Sequence, residues 1–352
     1  MTETDRAESV QMIRDSVGAI APVGGDLTRI RARRGGPGTV DPAIWRQIVE
    51  LGWLALLIHE EQGGLGLGVR ELTAIGEELG AALVPEPVVA VVAMAPLLTG
   101  SARREVLDGT RIVLPAWREV MTSLEAEPRT TVRDGKVTGS KILIAAADAA
   151  DSFVVSTDSG PVLVERSADG VQLDVKPAHD GGHSGSLTMT NAPCNPVAGD
   201  FANALEVLAL AESGYLLGAA ERAFGMTLEY LVTRQQFGRL IGSFQVLQHR
   251  AAEAKIQLAL SKAVLGEAIA DVERGATPVE RMRSRSRAVA RVSDTAMLIA
   301  REAVQMHGAI GITDEHDIGL FCRKILTNYN RFGTASVNRS RYLDSLRPEH
   351  AQ

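Results

Sequence analysis

Beyond residue 201 the apolar residues recur at helical spacing in five stretches, 202–232, 244–274, 278–306, 314–328 and 335–346. Most are long and rich in Ala and Leu, and only short connections separate them. Such a stretch can hide its apolar stripe only against others of its kind, and short connections set successive helices side by side, so the pattern predicts a helix bundle. Ahead of it the period changes. Segments 111–114, 130–133, 136–145, 152–157, 162–166, 171–175 and 184–190 are short and rich in Val, Ile and Thr. Asp-Gly, Ser-Gly or Asp-Ser pairs bound them, and Asp134-Gly135 is a strong hairpin turn. They predict a compact antiparallel sandwich or barrel. Before residue 110 the helical period holds again, over 4–20, from Pro42 to about Gly52, over 69–82 and over 88–108. Asp41 is placed to cap the helix that Pro42 begins. The basic, Gly-containing segment 29–38 reads as a loop. The expected class is α+β: an N-terminal helical domain over 1–109, a middle antiparallel β domain over 110–200, and a C-terminal helix bundle over 201–352.

Composition removes several classes of function. A net charge of −6, from 37 basic and 43 acidic residues, offers no footprint for nucleic acid or an anionic membrane. The two cysteines, Cys194 and Cys322, are too few for a disulfide framework or a zinc site, so no metal is expected. No basic n-region followed by an apolar core opens the chain, and no run of about 18 apolar residues occurs. A cytoplasmic protein without a membrane span is the expectation.

One polar stretch in the bundle exceeds what a helix connection needs. Thr233-Arg234-Gln235-Gln236-Phe237-Gly238-Arg239, with Gln245 just beyond, combines a turn signal with an Arg, a Phe and several amides. A guanidinium is a planar, permanent cation suited to phosphate; a phenyl face and amide donors suit a flat polar ring. The alternative is that Arg234 caps a helix and Phe237 is core. A second cluster, Val304-Gln305-Met306-His307-Gly308-Ala309-Ile310-Gly311, ends another helix with glycines that let backbone N–H groups approach a ligand.

These stretches resemble the R-x-x-F-G…Q and Q-x-x-G-G-x-G signatures of acyl-CoA dehydrogenases, flavoenzymes that desaturate acyl thioesters. The G-W-L-A-L…E-E-Q-G-G-L-G-L-G run near the N-terminus resembles the same family, except that His59 stands where relatives usually have Pro, and the α–β–α order matches its architecture. The resemblance implies FAD as cofactor, an acyl-CoA substrate and an electron-transferring flavoprotein as acceptor. It assigns Arg234, Phe237, Gln245, Gln305 and Gly308 to FAD, with the arginine and phenylalanine reaching across a subunit interface. Ala309 replaces a family glycine, and His307 occupies a variable position.

The resemblance fails where the chemistry should be. Removing an α-proton needs a carboxylate, usually the Glu of a Y-E-G-T run. The matching run is Asn330-Arg331-Phe332-Gly333-Thr334, with Phe332 at the base position. Some relatives carry the Glu on the first bundle helix before an Arg; that pair falls on Leu208-Ala209. Glu212 lies one turn on and is the one relocated candidate, Glu206 lying on roughly the opposite side. The T-E-x-x-x-G-S-D stretch that binds flavin and substrate is not found within Pro115-Ala116-Trp117-Arg118-Glu119-Val120-Met121-Thr122, and Leu143-Ile144-Ala145 replaces W-I-T. Adenine and pyrophosphate contacts thus persist while base and flavin-ring contacts are lost. That pattern implies a non-catalytic subunit of a heteromeric (α2β2) acyl-CoA dehydrogenase acting on a lipid or steroid thioester, completing the FAD site of a second, similar chain. The alternatives are a self-sufficient homo-oligomer with Glu212 as base, a scaffold of the same fold, or a flavin monooxygenase.

Overall fold

The computed structural model describes residues 3–21, 24–34, 36, 38–120 and 128–347. Eleven helices and ten strands follow one another along them. The first part is helical: α1 (Glu3–Ile20), α2 (Thr28–Arg33), α3 (Pro42–Glu50), α4 (Val69–Ala81), α5 (Val88–Met94) and α6 (Gly100–Leu107). Strands follow: β1 (Val113–Ala116), β2 (Thr131–Arg133), β3 (Lys136–Ala145), β4 (Ser152–Val155), β5 (Val162–Glu165), β6 (Val171–Pro177), β7 (His183–Pro193) and β8 (Asn195–Pro196). Next come α7 (Phe201–Thr233), a hairpin of β9 (Gln235–Gln236) and β10 (Arg239–Leu240), α8 (Gln245–Glu273), α9 (Pro278–His307), α10 (Ile318–Asn328) and α11 (Ala335–Ser345). The fold is that of an N-terminal helical region, middle β-sheets and a C-terminal helix bundle. The chain packs as two compact units, one of residues 1–31, 69–84 and 209–352, the other of 32–68 and 85–208.

Local chemistry explains several boundaries. Asp41 accepts a hydrogen bond from the Ala43 amide at 3.0 Å, and Pro42 fills the position where a missing N–H costs nothing. Thr277 and Glu280 form a reciprocal capping box at the start of α9. The Asp134-Gly135 turn joins β2 to β3 as expected, both residues having positive φ.

Three segments depart from the sequence reading. Within 29–38, residues up to Arg33 are helical rather than loop; Arg31 donates to Asp317 and anchors that turn. The 88–108 stretch is interrupted, since Pro96 lies in a 3₁₀ turn over Ala95–Leu97 and Gly100 takes φ +60°. The strands form two four-stranded sheets, β1-β4-β5-β8 and β2-β3-β7-β6. All pairs are antiparallel but one: β1 runs parallel to β4, because the long β2–β3 excursion returns the chain in the same direction.

In the second unit the core is α5 and the first sheet. Every residue of α5 is buried, as is all of β1 and β4. Helix α5 is apolar all round, as a fully enclosed helix must be. In the first unit α4 and α7 meet along paired glycines, Gly76 and Gly80 facing Gly214 and Gly218. A methyl on any of them would overlap the other helix, on Ala211, Tyr215, Thr73 and Glu77 respectively. The backbones therefore touch, and Arg14 of α1 clamps the seam through Glu77 and Glu78. Ser261 and Thr295 join α8 to α9 by a buried 2.8 Å hydrogen bond.

Candidate functional site

The end of α7 runs directly into the β9–β10 hairpin, where Gln236 pairs with Arg239 and leaves Phe237-Gly238 as a two-residue turn. Both have positive φ, +53° and +76°. Glycine takes that conformation freely; a bulky residue does so at a cost of roughly 1–2 kcal/mol. Phe237 gains no burial in return, being 90% exposed. Its ring meets only the edge of Phe244, 6.1 Å away, over which Arg239 also stacks at 4.0 Å. Arg234, the last residue before the hairpin, is exposed, and among the described residues its guanidinium has no hydrogen-bond or ionic partner. Its backbone is held at both ends, its N–H donating to Tyr230 and its carbonyl accepting from Ile241, each at 2.9 Å. Gln245, first residue of α8, is also exposed. A cation on an anchored backbone, an outward ring and an outward amide thus lie along the connection from α7 to α8, none of them serving this chain's own core.

Gln305 and Gly308 stand at the other end of α9. Both are exposed, and Gly308 ends the helix with φ +66°, ψ −141°. Only glycine enters that region without strain. His307, between them, is buried at 4% exposure, stacked on Tyr230. Burial, with the neighbouring His316 as a lesser cause, lowers its pKa.

The base position is different in kind. Phe332 is half-buried, and the residue before it, Arg331, donates to the Glu212 carboxylate at 2.8 Å. Both members of that pair are largely covered. Leu208 and Ala209, the alternative positions for a base, are buried apolar residues. Sequence spacing brought Glu212 close to the expected location, but it could not show that Arg331 engages it.

The β segment expected to hold a flavin ring turns its polar groups inward. Lys141 is wholly buried and donates to Glu119 at 2.6 Å and to Ser156 at 2.9 Å. Glu119 also accepts from the Arg129 amide and from the amide and hydroxyl of Thr130. Burial alone would raise the Glu119 pKa, but the ammonium and these donors outweigh it and hold it at about 2. Burial pulls the Lys141 pKa down. Nearby, β3 bulges between Lys141 and Ile144, and Leu143 takes φ +56° there. Met121 and Thr122 lie outside the described residues. Sequence reasoning missed this ion pair. A Lys at a strand position just before the apolar run Ile142-Leu143-Ile144 was the available signal, and it pointed to no partner.

The exposed guanidinium of Arg234 and the outward phenyl face of Phe237 are chemically suited to a diphosphate and a flat ring, whereas the polar groups around Glu119 and Lys141 are engaged within the fold. Among the described residues no cluster of His, Cys, Asp and Glu could hold a metal, and no helix is long and apolar enough to cross a membrane.

Comparison with known proteins agrees with this architecture. The chain is 30% identical over 327 residues to the acyl-CoA dehydrogenase IpdE2 of Mycolicibacterium smegmatis, covering 90% of this chain and 92% of that protein. It is 30% identical over 301 residues to the acyl-CoA dehydrogenase FadE27 of Mycobacterium tuberculosis, covering 79% and 81%. Among solved structures it superposes on a variant of the Tcur3481–Tcur3483 steroid ACAD with a TM-score of 0.88 at 26% identity, over 98% of this chain and 99% of that one. The ChsE4–ChsE5 complex of Mycobacterium tuberculosis gives a TM-score of 0.85 at 24% identity over 98% of each chain, a likeness of fold. The family models for the acyl-CoA dehydrogenase N-terminal and C-terminal domains match residues 7–102 and 201–346. With that coverage at both ends and a relative aligned along nine-tenths of its length, this chain belongs to the acyl-CoA dehydrogenase family.

Proposed function

We propose that this chain is the cofactor-completing subunit of a two-chain, FAD-dependent acyl-CoA dehydrogenase. The observation that carries the reading is Phe237, an aromatic residue held at φ +53° and left 90% exposed close to Arg234, which has no side-chain partner among the described residues. Such a tip stabilises nothing within its own chain. It is suited to a ligand bound mainly by a neighbour. In this reading Arg234 meets the pyrophosphate, Phe237 and Gln245 the adenosine end, and Gln305 and Gly308 complete the edge of the site. The flavin, when bound, accepts the hydride of α,β-desaturation. The partner chain supplies the carboxylate base and the acyl pocket. Phe332 has no proton acceptor, and Glu212 serves as the counter-ion of Arg331 rather than as a relocated base. Two similar structures, the Tcur3481–Tcur3483 steroid ACAD and the ChsE4–ChsE5 complex, pair two chains; a bulky lipid or steroid acyl-CoA is the substrate class we assign, with an electron-transferring flavoprotein as acceptor.

The test is to purify the native assembly without added subunits, then record its visible spectrum and the masses of all its chains. A flavin spectrum with a second acyl-CoA dehydrogenase chain in equal amount is expected. A flavin spectrum and full activity from this chain alone would overturn the proposal, and Glu212 would become the residue to test. Purified assembly free of FAD would favour a scaffold of the same fold.

A further inference from the structure

We propose that the stacked rings of Tyr230, His307 and His316 are the positioning element that sets the two halves of the cofactor-lending surface in register. The inference rests on the lending role proposed above. Tyr230 lies one helical turn before Arg234 on α7, and its carbonyl accepts the Arg234 N–H at 2.9 Å. His307 ends α9 and is followed directly by Gly308. The two rings stack face to face, centroids 4.5 Å apart and planes 20° from parallel. His316, from the segment before α10, closes the cluster edge-on, 4.7 Å from His307 and 6.2 Å from Tyr230. The arginine-bearing hairpin and the Gln305–Gly308 turn are thus each one short step from the same stack.

The hydrogen bonds fix more than contact. His307 donates from Nδ1 to the Ala303 carbonyl at 2.8 Å, which locks the ring's rotation against the last turn of α9. That leaves Nε2 as an acceptor, buried and without a partner among the described residues. A buried unsatisfied acceptor costs of order 1–3 kcal/mol. An apolar ring would avoid the cost and stack equally well, so stability alone does not account for an imidazole here. His316 accepts the Ile318 N–H at 3.1 Å through Nδ1, tying the third ring to the start of α10. A ring whose plane is set from α9, pressed on a ring one turn from Arg234, transmits the geometry of one half-surface to the other.

The experiment uses the native assembly and measures its FAD dissociation constant by flavin fluorescence, with the thermal midpoint of the FAD-stripped assembly recorded in parallel. His307→Leu and Tyr230→Leu are expected to weaken FAD about tenfold, the equivalent of 1.4 kcal/mol, while the FAD-free midpoint stays near wild type. His307→Phe, which keeps the ring but loses the Nδ1 hydrogen bond to Ala303, should recover only part of the affinity. Arg234→Ala is the control for the lending role itself. Loss of FAD in Arg234→Ala with wild-type affinity in both leucine variants would overturn the positioning role and leave the lending role standing. Unchanged affinity in Arg234→Ala would overturn both. A leucine variant whose midpoint falls in step with its affinity, or full recovery in His307→Phe, would reduce the stack to ordinary packing.

Discussion

The hairpin after α7 and the β segment around Glu119 hold comparable side chains and spend them in opposite directions. At the hairpin Arg234 is exposed without a partner among the described residues and Phe237 stands on a left-handed turn, 90% exposed. Around Glu119 a lysine is fully buried and the carboxylate accepts from Lys141, the Arg129 amide and Thr130. The first arrangement sacrifices local stability and leaves binding capacity free. The second consumes binding capacity to hold the fold. In one family both stretches are expected to meet the same cofactor, and the difference between them is the physical ground for the proposal that this chain serves only one end of it.

The largest effect should come from the inward-facing side. Breaking a buried ion pair strands the remaining charge and costs about 3–5 kcal/mol. Lys141→Met should therefore lower unfolding free energy by roughly that amount in a denaturant titration, while FAD content of the folded assembly stays unchanged. The same network should appear in acid. Glu119 is held at about 2, below its ordinary 4.5. The unfolded chain binds that proton first as pH falls, so the contribution is complete above pH 4.5 and is lost on the way to pH 2. Lys141→Met should shift the acid unfolding midpoint upward.

The outward-facing side should answer the opposite way. Arg234→Ala is expected to weaken FAD about 100-fold, some 2.7 kcal/mol, with no loss of unfolding free energy. Phe237→Gly makes the contrast sharper. It relieves a left-handed non-glycine turn and should stabilise the chain by about 1 kcal/mol while lowering FAD affinity. A Phe237→Gly variant that loses stability and keeps its FAD would mean the ring packs within its own chain.

The proposed lending side could be named from sequence because its motif is contiguous: Arg234, Phe237 and Gln245 lie within or at the end of one connection, and Gln305 and Gly308 at one helix end. The overall order of helices and strands was legible for a similar reason, since period 3.6 and period 2 are local signals. The Asp41 cap and the Asp134-Gly135 hairpin likewise needed only neighbours in sequence. What stayed hidden was long-range. Nothing near Lys141 announces that Glu119, 22 residues earlier, will meet it. Arg331 and Glu212 are 119 residues apart. The parallel pairing of β1 with β4 depends on the route taken by β2 and β3 between them, and the helix at Thr28–Arg33 depends on an anchor at Asp317. A phenylalanine at the position where relatives carry the base could be read in the sequence; the Arg331–Glu212 pair beside it could not.

A smaller effect separates the two readings of Glu212. Glu212→Gln removes the charge facing Arg331 in a largely covered pair and should cost about 1–2 kcal/mol of stability with turnover of the assembly unchanged. A collapse of turnover at retained stability would restore Glu212 as a base.

The smallest effect concerns the order in which the two regions yield to acid. His307 is buried, and its pKa lies below the ordinary 6.5, with His316 adding to the shift. The unfolded chain takes up that proton before the folded one does, so the stability His307 contributes is complete above pH 6.5 and declines as pH falls below it, by no more than about 1.4 kcal/mol per pH unit. Glu119 keeps its charge far below that range. As pH falls below 6.5 the Tyr230–His307 stack should therefore loosen while the Lys141–Glu119 network is still intact. FAD fluorescence released over this interval, with far-ultraviolet circular dichroism unchanged, is the expected signature, and His307→Phe should flatten it. Release and unfolding that coincide in both proteins would show that the outward-facing and inward-facing regions fail together, and the division between them would lose its physical basis.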